Sequence, residues 1–147
     1  MRRVVVTGIG AVTPLGIGKE AFWQGLANGR SGVRHITRFD PSELTAQIAG
    51  EVPDFDPLEF MDRKDARRMD RFTQFAVAAT ALALADAGLD KQIPLGDRAG
   101  VLIGSGVGGI ETLEEQAVTL VAKGAGRISP FFVPMMIADM AAGQGSI

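Results

Sequence analysis

Val4-Val5-Val6-Thr7-Gly8-Ile9-Gly10 opens the ordered pattern of the chain, and Ala99-Gly100-Val101-Leu102-Ile103-Gly104 returns to it far downstream. Both runs are apolar at successive positions rather than at alternate ones. That reads as a strand buried on both faces, and hence as a layered α/β architecture. Helical patterns fill the space between and after them. Residues 19–28 place Ala21, Phe22, Trp23 and Leu26 at helical spacing, with Gly29 where a C′ glycine would stand. The clearest helix is expected to start near Asp62 or Arg63 and run to Ala87, with Met69, Phe72, Ala76, Ala79 and Ala83 recurring at three and four. Its alanines give high helix propensity and a thin profile that fits between layers, and Gly88 stops it. After Gly106, Gly108 and Gly109 a further helix is expected from about Ile110 to Lys123, ended by Gly124 and Gly126.

The remaining stretches are connections. Thr13-Pro14-Leu15-Gly16 reads as a turn. Residues 31–60, interrupted by Pro41, Pro53 and Pro57, read as an ordered surface excursion. It has short possible strands near 33–36 and 46–52 and a small helix near 57–60. Residues 94–98 read as a loop, and Ser129-Pro130 opens a last apolar segment through Met140.

Composition narrows the chemistry. The 147 residues contain no Cys, no Tyr and one His, so disulfides, a Cys nucleophile, a phenol acid and a His pair on zinc are all excluded within this chain. Fifteen Lys and Arg against 17 Asp and Glu leave a net charge of −2, which offers no bulk basic field for nucleic acid or an anionic membrane. The longest apolar stretch, residues 76–85, is shorter than the roughly 20 residues that span a bilayer. The start, Met1-Arg2-Arg3 followed directly by valines, reads as a cytoplasmic first strand rather than a signal peptide.

Three features carry possible chemistry. Gly104-Ser105-Gly106-Val107-Gly108-Gly109 matches G-x-G-x-x-G between an expected strand and helix, so its N–H groups could cradle a phosphate. A dinucleotide site would also need an acidic residue about 20 positions on, and position 129 is Ser; a tight glycine turn packing strand on helix is favoured. Thr7-Gly8-Ile9-Gly10 is a weaker version, better read as glycines that let the first strand exit into a crowded layer. Lys64, Arg67, Arg68 and Arg71 fall at i, i+3, i+4 and i+7, which puts them on one face of the expected helix. They would sit near its N-terminal end, where the macrodipole disfavours cations. A basic knob suits an acidic protein or a phosphate, and a solvated face with Asp65 and Asp70 as partners is the other reading. His35 is read as a hydrogen-bonding loop residue, Glu111, Glu114 and Glu115 as an acidic first turn, and Phe131 through Met136 as core by default.

Taken together, the segments resemble one family. Residues 4–16 are similar to the opening of β-ketoacyl-acyl-carrier-protein synthases. So are Ser31-Gly32-Val33 with Arg38-Phe39-Asp40, Arg67-Arg68-Met69-Asp70-Arg71-Phe72-Thr73-Gln74 and Ile103-Gly104-Ser105-Gly106-Val107-Gly108-Gly109. Ile128-Ser129-Pro130-Phe131-Phe132-Val133-Pro134 and Ala141-Ala142-Gly143-Gln144 complete the set. The likeness covers essentially the whole chain in order, and within the family the synthase II type of fatty-acid elongation is nearest.

The resemblance implies a thiolase-like, layered α-β-α-β-α fold of two similar halves. Residues 1–147 would be the N-terminal half only, an incomplete domain ending before the nucleophile. It implies an acyltransferase that condenses an acyl thioester with malonyl-acyl-carrier protein, with decarboxylation. In the family a Cys takes the acyl group, and two His and a Lys support decarboxylation and the developing oxyanion. All of these are expected downstream of residue 147, so no catalytic residue is assigned in this chain and it is expected to be inactive alone. The resemblance places Val107, Phe132 and Val133 at the acyl pocket, with Phe132 and Val133 in the segment that reaches the partner subunit's tunnel. It places Lys64, Arg67 and Arg68 in a basic patch that meets the acidic carrier protein. Asp139 stands where Asn is usual and Gly145 where an apolar residue is usual. The implied partners are an acyl carrier protein and a second subunit in a cytoplasmic homodimer. No cofactor, metal, nucleic acid or membrane is expected. The alternative function is a non-catalytic ketosynthase-like module that binds an acyl carrier protein or partner synthase, or a ketosynthase of polyketide synthesis.

Overall fold

The computed structural model describes residues 3–89 and 96–147; Met1, Arg2 and the first part of the expected 94–98 loop lie outside the described residues. The described part of that loop, Gly96–Arg98, is a turn of 3-10 helix.

Short-range expectations near the N-terminus hold. Strands β1 (Val12–Thr13) and β2 (Gly16–Ile17) form an antiparallel hairpin across the expected turn, with Val12 opposite Ile17. Thr13 builds that turn, its Oγ1 donating to the Gly16 carbonyl at 2.9 Å and accepting from the Leu15 N–H at 3.2 Å. Helix α1 (Lys19–Ala27) ends at Asn28, and Gly29 takes φ +61°, the left-handed stop that its sequence position implied. In the surface excursion, β3 (Arg34–His35) pairs antiparallel with β4 (Ile48–Ala49). Glu51 clamps the hairpin by accepting from the Thr37 hydroxyl (2.7 Å) and from the Thr37 and Arg38 N–H groups. His35 therefore sits on a strand, opposite Ile48, with Nδ1 3.0 Å from the Ile36 carbonyl oxygen. Pro57–Glu59 is a 3-10 turn capped by Asp56.

The expected helix from 62 or 63 to 87 is two helices. α2 (Arg63–Ala66) is capped by Asp62 Oδ1 on the Asp65 N–H, and α3 (Arg71–Asp86) begins afresh at Asp70. Asp70 has extended backbone, ψ 159°, and its Oδ1 accepts from the Phe72 N–H at 3.2 Å. An Asp at an N-cap competes with continued helix by offering its carboxylate to the next free N–H groups, and here that local bond outweighs the apolar periodicity. The single basic face of Lys64, Arg67, Arg68 and Arg71 is overturned with it. Arg71 turns inward, donating to the Val52 carbonyl at 2.6 Å and stacking over the rings of Phe75 and Phe55.

Helix α3 is packed along part of its surface rather than enclosed: Thr73 and Ala78 are its buried residues, and the others are half-buried or exposed within this chain. Gly8 and Gly10 lie against it so closely that a methyl on either would overlap the carbonyl oxygens of Ala83 or Ala79. Helix α6 (Met140–Gly145) packs along α3, and Ala78 and Ala141 are fully buried. At the end of α3, Asp86 accepts from the Ile9 N–H at 2.9 Å and pairs with Lys19 of α1. Phe55, Phe60 and Phe75 form an aromatic cluster at its other end, with a T-shaped contact of 4.9 Å between Phe55 and Phe75.

The two apolar runs expected as strands, residues 4–7 and 99–104, form neither helix nor strand and pair with no strand among the described residues. A strand is defined by a neighbour, and the ladders described are β1 with β2 and β3 with β4. Val101 and Ile103 reach Gly145 of α6, whereas Val4 is 95% and Leu102 99% exposed. Downstream, α4 (Ile110–Lys123) has the expected bounds, and the last apolar segment folds as α5 (Phe132–Met136) followed by α6.

Candidate functional site

The functional candidates converge on the junction of α3, α4 and α5. The glycine-rich stretch enters α4 as a packed turn. Gly108 has φ +81°, and a methyl there would overlap the Met136 carbonyl oxygen; one on Gly109 would overlap that of Met135. The Gly109 N–H donates to the Met136 carbonyl at 2.8 Å, and the Gly108 N–H is taken by Ser105 Oγ at 3.0 Å. Asp70 Oδ2 occupies the start of α4, accepting from the Thr112 N–H at 3.0 Å and the Thr112 hydroxyl at 2.6 Å. A carboxylate from the chain itself thus fills the place a phosphate would take. The turn-and-packing reading of the glycine motif is the one the geometry supports.

Val107 sits at the tip of this turn and is 65% exposed. Phe132, on α5, lines an apolar groove of about 220 Å³ with Leu113, Gln116, Ala117, Leu120 and Ile128. Neither Val107 nor Val133 lines that groove, and Val133 is also exposed. The groove wall from α4 follows i, i+4, i+7 spacing at Leu113, Ala117 and Leu120, a signal present in the sequence but not assigned to a site there. Lys64, Arg67 and Arg68 are all exposed, on α2 and the bend that follows it. Arg68 lies over the Phe131 ring, 4.8 Å from its centroid, so the basic bend abuts the segment that carries Phe132 and Val133. The bend itself is held by Gln74, whose amide donates to the Ala66 and Met69 carbonyls at 2.9 and 3.2 Å.

A polar cavity of about 250 Å³ lies beside this junction, lined by Arg38, Arg71, Glu111 and Glu115 among others. Arg38 crosses from the surface excursion to donate to Glu111 at 2.6 Å, which gives the acidic first turn of α4 a structural partner. Burial, helped by nearby Arg38, pushes the Arg71 guanidinium pKa below its ordinary value. Among the described residues no three His, Asp or Glu side chains cluster as metal ligands, and no helix is long and apolar enough to cross a membrane. Sequence reading offered Asp70 as a partner on a solvated face and passed over Thr112; Asp70 is instead buried and bonded to Thr112, with no ion pair among the described residues. The visible signal was an Asp directly ahead of a helical run.

The family described as beta-ketoacyl synthase, N-terminal domain, matches residues 1–147. The chain is 52% identical over 146 residues to 3-oxoacyl-(acyl-carrier-protein) synthase 2 of Synechocystis sp., covering 99% of this chain and 35% of that protein. It is 48% identical over 146 residues to the synthase of the same name from Staphylococcus aureus, again covering 35% of it. The chain thus spans about a third of the length of the curated relatives it matches. A solved beta-ketoacyl synthase from Burkholderia phymatum superposes with a TM-score of 0.83 at 34% identity, over 99% of this chain and 36% of that one. The architecture is therefore that of the N-terminal half of a thiolase-like ketosynthase, even though the runs at 4–7 and 99–104 pair with no strand among the described residues. With a glycine turn docked on α5 and a family match from end to end, the chain belongs to the beta-ketoacyl synthase family and carries its N-terminal domain.

Proposed function

We propose that this chain is the N-terminal part of a 3-oxoacyl-acyl-carrier-protein synthase of the synthase 2 type, acting in fatty-acid synthesis. The observation that carries the reading is the 52% identity, along nearly all of the chain, to a relative of that name. In the reaction, a Cys thiolate takes the acyl group from its carrier thiol. The malonyl thioester loses carbon dioxide, and the resulting enolate attacks the acyl carbonyl and expels the thiolate. This chain has no Cys and one His, so its own share is to bind and orient rather than to carry the covalent step. Residues 1–147 act as the ketosynthase N-terminal domain, completed by the Cys, His and Lys of the rest of the synthase.

Lys64, Arg67 and Arg68 are the carrier-docking residues in this reading. They are exposed cations on one bend, suited to an acidic carrier protein. Val107, Phe132 and Val133 contact the acyl chain. The apolar groove at Phe132 supports this, as does the exposure of the two valines, which leaves them free to meet surfaces beyond this chain. The contact of Arg68 with Phe131 supports a docking bend that neighbours the segment carrying Phe132 and Val133. The synthase works as a cytoplasmic homodimer, and the broad exposed apolar surface gives a second subunit something to cover.

The test is malonyl-dependent condensation on acyl-carrier substrates. The whole synthase is expected to release carbon dioxide and form the 3-oxoacyl product, and the 147-residue chain alone to do neither. Condensation by the isolated chain would overturn the reading. In the whole synthase, Val107→Phe is expected to exclude longer acyl chains by filling the pocket. An unchanged chain-length profile would remove Val107 from the site.

A further inference from the structure

We infer that Asp70 is a positioning residue that couples the carrier-docking bend to the acyl-pocket turn, so that acyl-chain-length preference depends on the bond between Asp70 and Thr112. The inference rests on the functional reading above and adds to it a residue pair with a defined role.

Asp70 is 7% exposed and has no ion pair among the described residues. A buried carboxylate without a cation is costly unless donors satisfy it, and here two helix N-termini supply them. Oδ1 holds the first turn of α3 through the Phe72 N–H. Oδ2 holds the first turn of α4 through both the N–H and the hydroxyl of Thr112, 42 residues away. Gly109 backs onto the same carboxylate, and a methyl there would come within 2.9 Å of Oδ2. Upstream of Asp70, the bend bearing Arg67 and Arg68 is fastened to α3 by Gln74. On the α4 side, the turn from Ser105 to Gly108 closes on itself and carries Val107 at its tip. One carboxylate therefore stands between the docking cations and the pocket valine.

The choice of group matters. Apolar packing would hold α3 against α4 with some freedom to slide. Directional bonds from two oxygens of one carboxylate fix both the separation and the rotation of the two N-termini. Loss of the Thr112 hydroxyl bond leaves the fold its backbone cap but loosens the entry to α4 at Gly109, directly after the turn that carries Val107. A loosened pocket wall acts on long acyl chains more than on short ones, because only long chains reach it.

The experiment uses the whole synthase and reads the ratio of kcat/KM for a long against a short acyl-carrier substrate. Thr112→Val keeps the shape and the N–H and removes the hydroxyl donor. It is expected to shift the ratio by roughly fivefold or more, within the range that small changes in an apolar pocket produce. Thr112→Ser, which restores the hydroxyl, is expected to return the ratio to that of the unaltered enzyme. A fall shared equally by both substrates, with the ratio unchanged, would mean a general structural role and overturn the inference. Asp70→Asn, which replaces one acceptor oxygen by a donor, is read in the same ratio and takes the place of Thr112→Val if that variant does not fold. Val107→Ala separates the two levels. If it moves the ratio and Thr112→Val does not, the coupling fails alone. If Val107→Ala leaves the ratio unchanged, the pocket assignment fails and takes the coupling with it.

Discussion

Leu102 offers a direct measure of how much of this half-fold is completed by surfaces outside it. It lies in the middle of an apolar run and is 99% exposed. The surroundings match that exposure. A compact monomer of 15.5 kDa exposes roughly 7,200 Å² by the size scaling of folded proteins. This chain exposes 10675 Å². The excess, on the order of 3,500 Å² on this chain alone, exceeds the roughly 1,000–2,500 Å² that each partner contributes to an obligate interface of about 2,000–5,000 Å² in total. In the 147-residue chain alone, Leu102→Ala removes a side chain that touches little, so it should change stability by no more than about 0.5 kcal/mol. In the whole synthase, where the run at 99–104 is proposed to gain a covering layer, the same substitution should cost about 2–5 kcal/mol, as Leu→Ala does in a core. Urea titrations followed by far-ultraviolet circular dichroism, run on the chain and on the whole synthase, read both values. A loss below about 1 kcal/mol in both contexts would show that Leu102 stays exposed and would refute the completion argument.

Further outcomes follow from particular contacts. Arg67→Glu with Arg68→Glu in the whole synthase should weaken carrier binding roughly tenfold at low salt and less at high salt, and a titration showing no change would leave the bend a solvated surface. Gly108→Ala adds a methyl against the Met136 carbonyl at a position with φ +81°, so it should lower stability by about 1–3 kcal/mol or more, read by thermal melting of the whole synthase. The Asp86 carboxyl is held below its ordinary 3.8 by the Lys19 hydrogen bond and the Ile9 N–H. Its contribution to stability is therefore present above 3.8 and lost as pH falls through the lower folded value, and Asp86→Asn should flatten that acid limb of the stability profile. Lys19, raised above 10.5 by the Asp86 hydrogen bond, contributes below 10.5 and loses that contribution as pH climbs through its folded value, so Lys19→Met should flatten the alkaline limb.

The features legible in the sequence are those set by short-range chemistry. Gly29, Gly88 and Gly124 mark helix ends because each adopts the positive φ that closes a helix. The bounds of α4 were readable from flanking glycines, and the short strands β3 and β4, though not their pairing, from two short runs in a proline-broken stretch. The break at 67–70 was hidden because the apolar period runs through it, although Asp62 and Asp70 are both capping residues ahead of helical runs. Arg71 was misplaced for the same reason. Once the helix restarts at Asp70, its side chain faces Phe75 and Val52 instead of joining Lys64, Arg67 and Arg68. The motif order identified the family, and it was the resemblance, not any spacing rule, that singled out Val107, Phe132 and Val133. The groove around Phe132 and the Asp70–Thr112 bond join residues far apart in sequence, and no spacing rule connects them.

Taken by itself, the sequence determined the local grammar of this protein: where helices stop, which turns need glycine, that the chain supplies no thiolate, and which family its ordered motifs resemble. Tertiary structure alone decided that residues 4–7 and 99–104 remain unpaired among the described residues, that the glycine turn is filled by α5 and a carboxylate, and that Arg68 of the basic bend lies over Phe131, next to Phe132 and Val133. The division has a physical cause. Caps and turns are satisfied within a few residues, whereas a strand, a groove or a shared carboxylate exists only when distant segments bring the other half of each bond.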